Sequence, residues 1–116
     1  MLTYKGKEYV CHLDFGMEMV RSKWKAVILC HLNDGPKRFL ELQRTVTGVT
    51  QKVINEKLKE LEEDGLIEKT IYPEVPPRVE FRLTQAGKEL FPALDMIQKW
   101  AEKHYSKQTS PVQPPP

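Results

Sequence analysis

Along the chain the hydrophobic positions change spacing several times, and each change marks a predicted element. Trp24, Val27, Ile28, His31 and Leu32 follow the i, i+3, i+4, i+7, i+8 series of a helix with one inward face, and Ser22 is placed to cap it. Asn33-Asp34-Gly35-Pro36 ends that helix, because Gly accepts the left-handed cap and Pro cannot continue. A shorter helix is expected before it, from about Leu13 to Val20, with Met17 and Val20 on one side. Another is expected after it, from about Phe39 to Val46, with Phe39, Leu42 and Val46 inward. Thr47-Gly48-Val49 is a tight turn, and Thr50 is placed to cap a fourth helix from about Gln51 to Asp64. There Ile54, Leu58 and Leu61 form the apolar stripe and Gly65 ends the run.

Beyond Gly65 the period changes. Leu66 to Tyr72 is apolar and β-branched enough for a strand. Val79, Phe81 and Leu83 alternate with polar residues as in a half-buried strand. Pro73 to Arg78 forms a stiff tip between them, and its prolines either present one conformation cheaply or block edge pairing. Thr84 caps a last helix reaching Tyr105, with a kink expected at Pro92. Residues 1–10 alternate weakly and suggest an arm or a loose hairpin. Two short helices joined by a Gly-containing turn make a helix-turn-helix. A hairpin directly after the second makes it winged. The expected fold class is therefore mainly α with a small β-hairpin: an N-terminal arm over 1–10, a winged helix-turn-helix domain with a C-terminal dimerisation helix over 11–105, and a disordered Pro-rich tail over 106–116.

Composition narrows the possibilities modestly. The 116 residues suffice for one domain, and 40% hydrophobic with 29% charged residues suits a globular chain. No apolar run approaches the ~20 residues of a membrane span, and the first ten residues lack the apolar core of a secretory signal. Two cysteines without an export signal suggest a reducing compartment, so a cytoplasmic location is expected. The net charge of +2 permits nucleic-acid binding without arguing for it. The local distribution says more. Residues 37–59 hold six basic side chains against two acidic ones, whereas Glu60, Glu62, Glu63 and Asp64 follow with no base among them.

With Ile54, Leu58 and Leu61 inward, a period of 100° per residue turns Lys52, Asn55, Glu56 and Lys59 outward and leaves Gln51 on the flank. Gln and Asn suit adenine, Lys suits guanine, and Thr suits the thymine methyl, so Thr50, Gln51, Lys52 and Asn55 are the candidate base contacts. Lys37, Arg38 and Arg78 are candidate phosphate contacts, with Arg78 also able to enter a minor groove, and Lys59 is a further candidate DNA contact on the outward face. The plainer alternative is that these are ordinary exposed helix positions. The chemistry of an enzyme is missing from the sequence: it has no Gly-rich phosphate loop, no G-x-S-x-G and no H-E-x-x-H, and its histidines lack adjacent nucleophiles. Cys11-His12 and Cys30-His31 lack the spacing that metal ligands need, so no catalytic or metal residues and no cofactor are expected.

In the last helix Leu90, Leu94, Ile97 and Ala101 form one stripe, and Ala93, Met96 and Trp100 form a second beside it. A surface helix of a single domain needs one. The extra width suggests a homodimer contact through Leu94, Ile97 and Trp100, joined by Phe15 and Met19. The alternative is that this width covers the chain's own N-terminal arm.

Several stretches carry a family resemblance. They are Lys23-Trp24-Lys25, Ile28-Leu29, Gly35-Pro36, Arg38-Phe39, Glu41-Leu42, Leu58-Lys59-Glu60-Leu61-Glu62, Asp64-Gly65-Leu66-Ile67 and Tyr72 to Phe81, then Leu83-Thr84, Gly87, Leu90 and Trp100. Together they resemble the HxlR-type winged helix-turn-helix transcriptional regulators over about Cys11 to Ala101, most specifically in V-P-P-R-V-E-F followed by L-T-x-x-G. The resemblance implies a homodimer on double-stranded DNA, with a pseudo-palindromic operator, dimerising through its first and last helices, usually bacterial and cytoplasmic. Arg21-Ser22 stand where the family usually has two glycines, and His12 stands where Pro commonly follows the N-terminal cysteine. Several family members respond to electrophiles or oxidants through that cysteine, whose place Cys11 occupies, so the resemblance allows an oxidant or small-molecule inducer; the alternative is that Cys11 is a small buried apolar residue without chemistry. Lys5, Lys7, His12 and Arg21 are the cations near it in sequence that could favour a thiolate. Cys30, on a packed helix, is expected to be inert. The competing reading of the whole chain is a winged-helix protein-interaction module that has lost DNA binding.

Overall fold

The structure, a computed structural model, describes residues 1–109. Two strands, β1 (Leu2–Tyr4) and β2 (Lys7–Tyr9), precede four helices: α1 (His12–Met19), α2 (Lys25–Leu32), α3 (Phe39–Thr45) and α4 (Gln51–Glu63). Strands β3 (Ile67–Tyr72) and β4 (Arg78–Leu83) follow, and α5 (Gln85–Tyr105) closes the chain. The two antiparallel pairs are separate sheets. β1 pairs with β2 from Leu2↔Tyr9 to Tyr4↔Lys7, and β3 pairs with β4 from Ile67↔Leu83 to Tyr72↔Arg78. Residues 110–116 of the expected tail lie outside the described residues, and 106–109 continue α5 as a turn in which the Gln108 N–H donates to the Tyr105 carbonyl at 3.0 Å.

The helix ends follow from local chemistry. The Ser22 hydroxyl accepts from the N–H groups of Trp24 (3.3 Å) and Lys25 (3.1 Å), and Thr50 Oγ1 accepts from the Val53 N–H at 3.2 Å. Thr84 has two tasks. Its Oγ1 accepts from the Gly87 N–H at 3.2 Å and donates to the Gly65 carbonyl at 2.6 Å, which ties the start of α5 to the turn after α4. Pro92 lies inside α5 without interrupting it.

One core fills the space between α2, α3, α4, the base of the β3–β4 hairpin and α5. Ile28, Leu29, Leu42, Val46, Ile54, Leu61 and Ile67 are its fully enclosed members. The phase of α2 differs from the expected one. Its buried residues are Lys25, Ile28, Leu29 and Leu32, while Val27 is 40% exposed and His31 only partly covered. Residues 26–30 are all apolar, so periodicity alone has no polar side to fix the rotation. The partners decide it, and they include a carboxylate for Lys25.

The β3–β4 hairpin is anchored at its side as well as its base. Lys37, just before α3, exchanges backbone hydrogen bonds with Phe81, at 2.9 Å from Lys37 N–H and 2.8 Å from Phe81 N–H. The N-terminal residues form a hairpin folded onto α1, with Tyr9 buried and the rings of Tyr4 and Tyr9 meeting Phe15 edge-on at 5.0 and 5.3 Å. No described helix is long and apolar enough to cross a membrane.

Candidate nucleic-acid interface

The helix-turn-helix consists of α3, the turn at Thr47-Gly48-Val49, and α4. Gly48 sits at φ +90°, a conformation that L side chains adopt rarely, and Trp24 lies 3.6 Å from where its β-carbon would be. Ile54, Leu58 and Leu61 turn inward, so Gln51, Lys52, Asn55, Glu56 and Lys59 all lie exposed on the opposite side of α4. Thr50 is exposed too, but its hydroxyl is committed to the cap, which leaves its methyl group to meet a ligand.

The cations of this region divide into two groups. Among the described residues, the side chains of Gln51, Lys52, Asn55 and Lys59 have no protein hydrogen-bond or ion-pair partner, and neither have those of Lys37, Arg38 and Arg44. Lys57 faces the other way and pairs with Glu60 Oε2 at 3.4 Å, and the nearly buried Lys25 meets the same oxygen at 3.1 Å. Partial burial raises the Glu60 pKa, but the hydrogen bond and charge of Lys25, reinforced by Lys57, outweigh it and hold the carboxyl below its usual range. The ammonium groups on the outer face are therefore available, while those on the inner side hold the fold together.

Arg78 has partners within the hairpin. Its guanidinium carbon stacks 4.0 Å over the Tyr72 ring, and its nitrogens pair with Glu74 (3.3 Å) and Glu80 (3.4 Å). The side chain is held along the hairpin rather than offered at the tip. The cause is register: Tyr72 stands opposite Arg78, and Glu80 lies two residues along on the same face. Arg44 is the residue that sequence reasoning passed over. It lines an open groove with Arg38, Phe39, Leu40, Glu41, Pro77 and Val79, formed where the hairpin folds back beside α3. Arg38 and Arg44 are six residues apart, and no local pattern signals that juxtaposition.

The apolar surface also differs in detail from the expected one. Leu94 is buried in the protomer's own core, Met19 packs against that core, and Phe15 lies against the tyrosines of the N-terminal hairpin. The hairpin takes up the width of α1 that was expected to face a partner. Ile97, Trp100 and, on α1, Met17 remain about half exposed, and Met96 and Leu13 are more exposed still. Met17, Val27, Ile97, Leu94 and Cys30 line a shallow apolar groove. Burial, and then the Asp95 carboxylate, push the Cys30 thiol upward, which disfavours a reactive thiolate. Cys11 is exposed at the start of α1. Three of the four residues named near it in sequence are engaged elsewhere: Lys7 and Arg21 pair with Glu18, and Lys5 pairs with Asp64.

Residues 19–109 match the model of the HxlR-like helix-turn-helix family. The chain belongs to that family. An HTH-type transcriptional regulator of Methanothermobacter thermautotrophicus is 43% identical over 101 residues, spanning 87% of this chain and 77% of the relative. Among solved structures, the redox regulator HypR in its reduced form superposes with a TM-score of 0.78 at 32% identity, covering 85% of this chain and all of HypR. The reduced form of the transcriptional regulator YodB from Bacillus subtilis gives 0.74 at 32% identity, covering 84% of this chain and 95% of YodB. This HxlR-like protein is thus a transcriptional regulator with a winged helix-turn-helix fold, and not an enzyme.

Proposed function

We propose that this HxlR-like regulator works in the cytoplasm as a homodimer and binds double-stranded DNA by seating α4 in the major groove. Thr50, Gln51, Lys52 and Asn55 are the base-reading residues in this proposal, and Lys37, Arg38 and Lys59 contact phosphates. The observation that carries it is the division of cations on α4: the outward amide and ammonium groups have no protein partner, whereas the inward ones do. Arg78 enters the proposal only as a residue that shapes the hairpin, because Tyr72, Glu74 and Glu80 already hold it. The second copy is proposed to lie on the exposed Ile97 and Trp100 of α5 and the adjoining Met17. A two-fold pair of this kind places its reading helices about 34–36 Å apart and requires a pseudo-palindromic operator.

Competition binding of the promoter duplex next to its own gene, against random duplex at several salt concentrations, tests the reading. Specific affinity should fall with salt by about 0.9 log units per log unit for each phosphate contact. Lys52→Ala combined with Asn55→Ala should weaken operator binding by at least about tenfold, since each good base contact contributes about 1–3 kcal/mol. If the wild-type protein shows no salt-sensitive binding, or the double variant binds like wild type, the protein-interaction reading replaces this one.

Cys11 is proposed as the sensing residue. Two observations support it: its exposure at the junction of the N-terminal hairpin and α1, and the likeness to a protein named as a redox regulator. A quinone or diamide should change operator affinity in wild type and leave Cys11→Ser unaffected. An equal response in that variant removes Cys11 from the mechanism.

A further inference from the structure

The end of α4 remote from the proposed base contacts poses an electrostatic problem. Glu60, Glu62, Glu63 and Asp64 crowd the C-terminal turn, where the helix dipole already concentrates negative charge. The structure answers this from two directions. Glu60 is bound by Lys25 of α2 and by Lys57. Asp64, the C-terminal cap residue, is bound by the N-terminal hairpin: its Oδ1 accepts from the Tyr4 hydroxyl at 3.0 Å and from Lys5 Nζ at 3.1 Å. The Asp64 side chain is only 11% exposed, so its carboxylate depends on these two donors.

The hairpin is shaped for this contact. Lys5 sits at φ +49° and Gly6 at φ +77°, so both central residues of the turn are left-handed. Asn or Asp is the favoured first residue of such a turn, and Lys there is a disfavoured choice. What the lysine gains is an ammonium group at Asp64. Elsewhere the hairpin is fastened to α1 through the Tyr4 and Tyr9 rings on Phe15 and through Lys7 to Glu18 at 3.1 Å. Its last residues lead directly into Cys11. Near its start the chain therefore forms a strut from α1 to the far end of α4.

We propose that Tyr4, Lys5 and Asp64 are positioning residues: the N-terminal hairpin holds the C-terminal end of α4 and so sets the angle at which its other end meets DNA. The proposal rests on the reading of α4 as the DNA contact. A helix of 13 residues is about 20 Å long, so a tilt of about 5° at one end moves the other by about 2 Å. Hydrogen bonds to bases tolerate only a few tenths of an ångström around 2.9 Å, so a tilt of that size breaks them.

The test uses Tyr4→Phe combined with Lys5→Asn. Phenylalanine keeps the ring on Phe15, and Asn-Gly suits the turn better than Lys-Gly, so the fold should be retained, with a melting temperature lowered by a few degrees at most because Asp64 loses both donors. Two readouts follow. Amide hydrogen exchange should accelerate in residues 60–66 and remain unchanged in the α2 core. Operator affinity should fall by about three- to tenfold although no proposed DNA-contacting residue is altered. Exchanging the pair, Lys5→Asp with Asp64→Lys, should recover most of the affinity that each single substitution loses, since net charge is conserved and Asp-Gly also suits the turn. Wild-type exchange at 60–66 together with wild-type operator affinity in the first variant overturns the proposal. If the wild-type protein binds no operator at all, the DNA reading of α4 fails instead, and the exchange data alone decide whether the hairpin holds the helix.

Discussion

Replacing Gly87 by alanine should cost the protein about 3 kcal/mol or more of its stability, a large share of the 5–15 kcal/mol typical of a domain. Gly87 is buried in the first turn of α5. A β-carbon there would overlap the Leu66 carbonyl oxygen and lie 3.2 Å from Leu83 Cδ2. Neither neighbour can yield easily. The Leu66 carbonyl accepts from the Thr84 N–H at 3.1 Å, and Leu66 and Leu83 are both buried at the base of the β3–β4 hairpin. Relief would require α5 to move away from the end of α4, which would break the bonds from the Thr84 hydroxyl to the Gly65 carbonyl and from the Thr84 N–H to the Leu66 carbonyl. The melting temperature should drop by more than about 10 °C, given about 4–8 °C per kcal/mol at this size. Gly16 supplies the control: it lies in α1 with open space around its α-carbon, so Gly16→Ala should be neutral or stabilising by about 0.5–1 kcal/mol. Equal melting temperatures for Gly87→Ala and wild type would show that α5 does not rest on Leu66.

The second large effect separates the two sides of α4. Ile54 is fully buried, and the next residue, Asn55, is exposed. Ile54→Ala should lower the unfolding free energy by about 2–5 kcal/mol, through lost apolar burial and the cavity left behind. Asn55→Ala should change it by no more than about 0.5 kcal/mol while weakening operator binding. Urea denaturation of the two variants, set beside their DNA affinities at a temperature where both are folded, gives a crossed pattern. A loss of stability at Asn55 matching that at Ile54 would mean that the helix is rotated from the orientation described.

The helices and the β3–β4 hairpin were legible because their signals are local. Thr50 and Thr84 cap the helices they were expected to cap, and Ile54, Leu58 and Leu61 face inward as their spacing requires. The rotation of α2 was not legible, since five consecutive apolar residues leave the amphipathic phase undefined. Nor were the partners of charged side chains. Arg78 and Lys52 look equally free in the sequence, yet one is clamped by Tyr72, Glu74 and Glu80 and the other faces outward alone. The segregation of acids at 60–64 was visible, but not that Lys25 and the residues of a hairpin some 60 positions away would neutralise it.

By itself, then, the order of apolar spacings, capping hydroxyls and turn residues determined a winged helix-turn-helix and the outward face of α4, because helix period, cap chemistry and turn conformation act over a few neighbouring residues. Only the tertiary structure decided which charges remain available to a ligand, that Phe15, Met19 and Leu94 belong to the protomer's own packing, and that the N-terminal hairpin reaches Asp64. Those outcomes depend on contacts between residues far apart in the chain, and side-chain pairing across such distances leaves no periodic trace in the sequence.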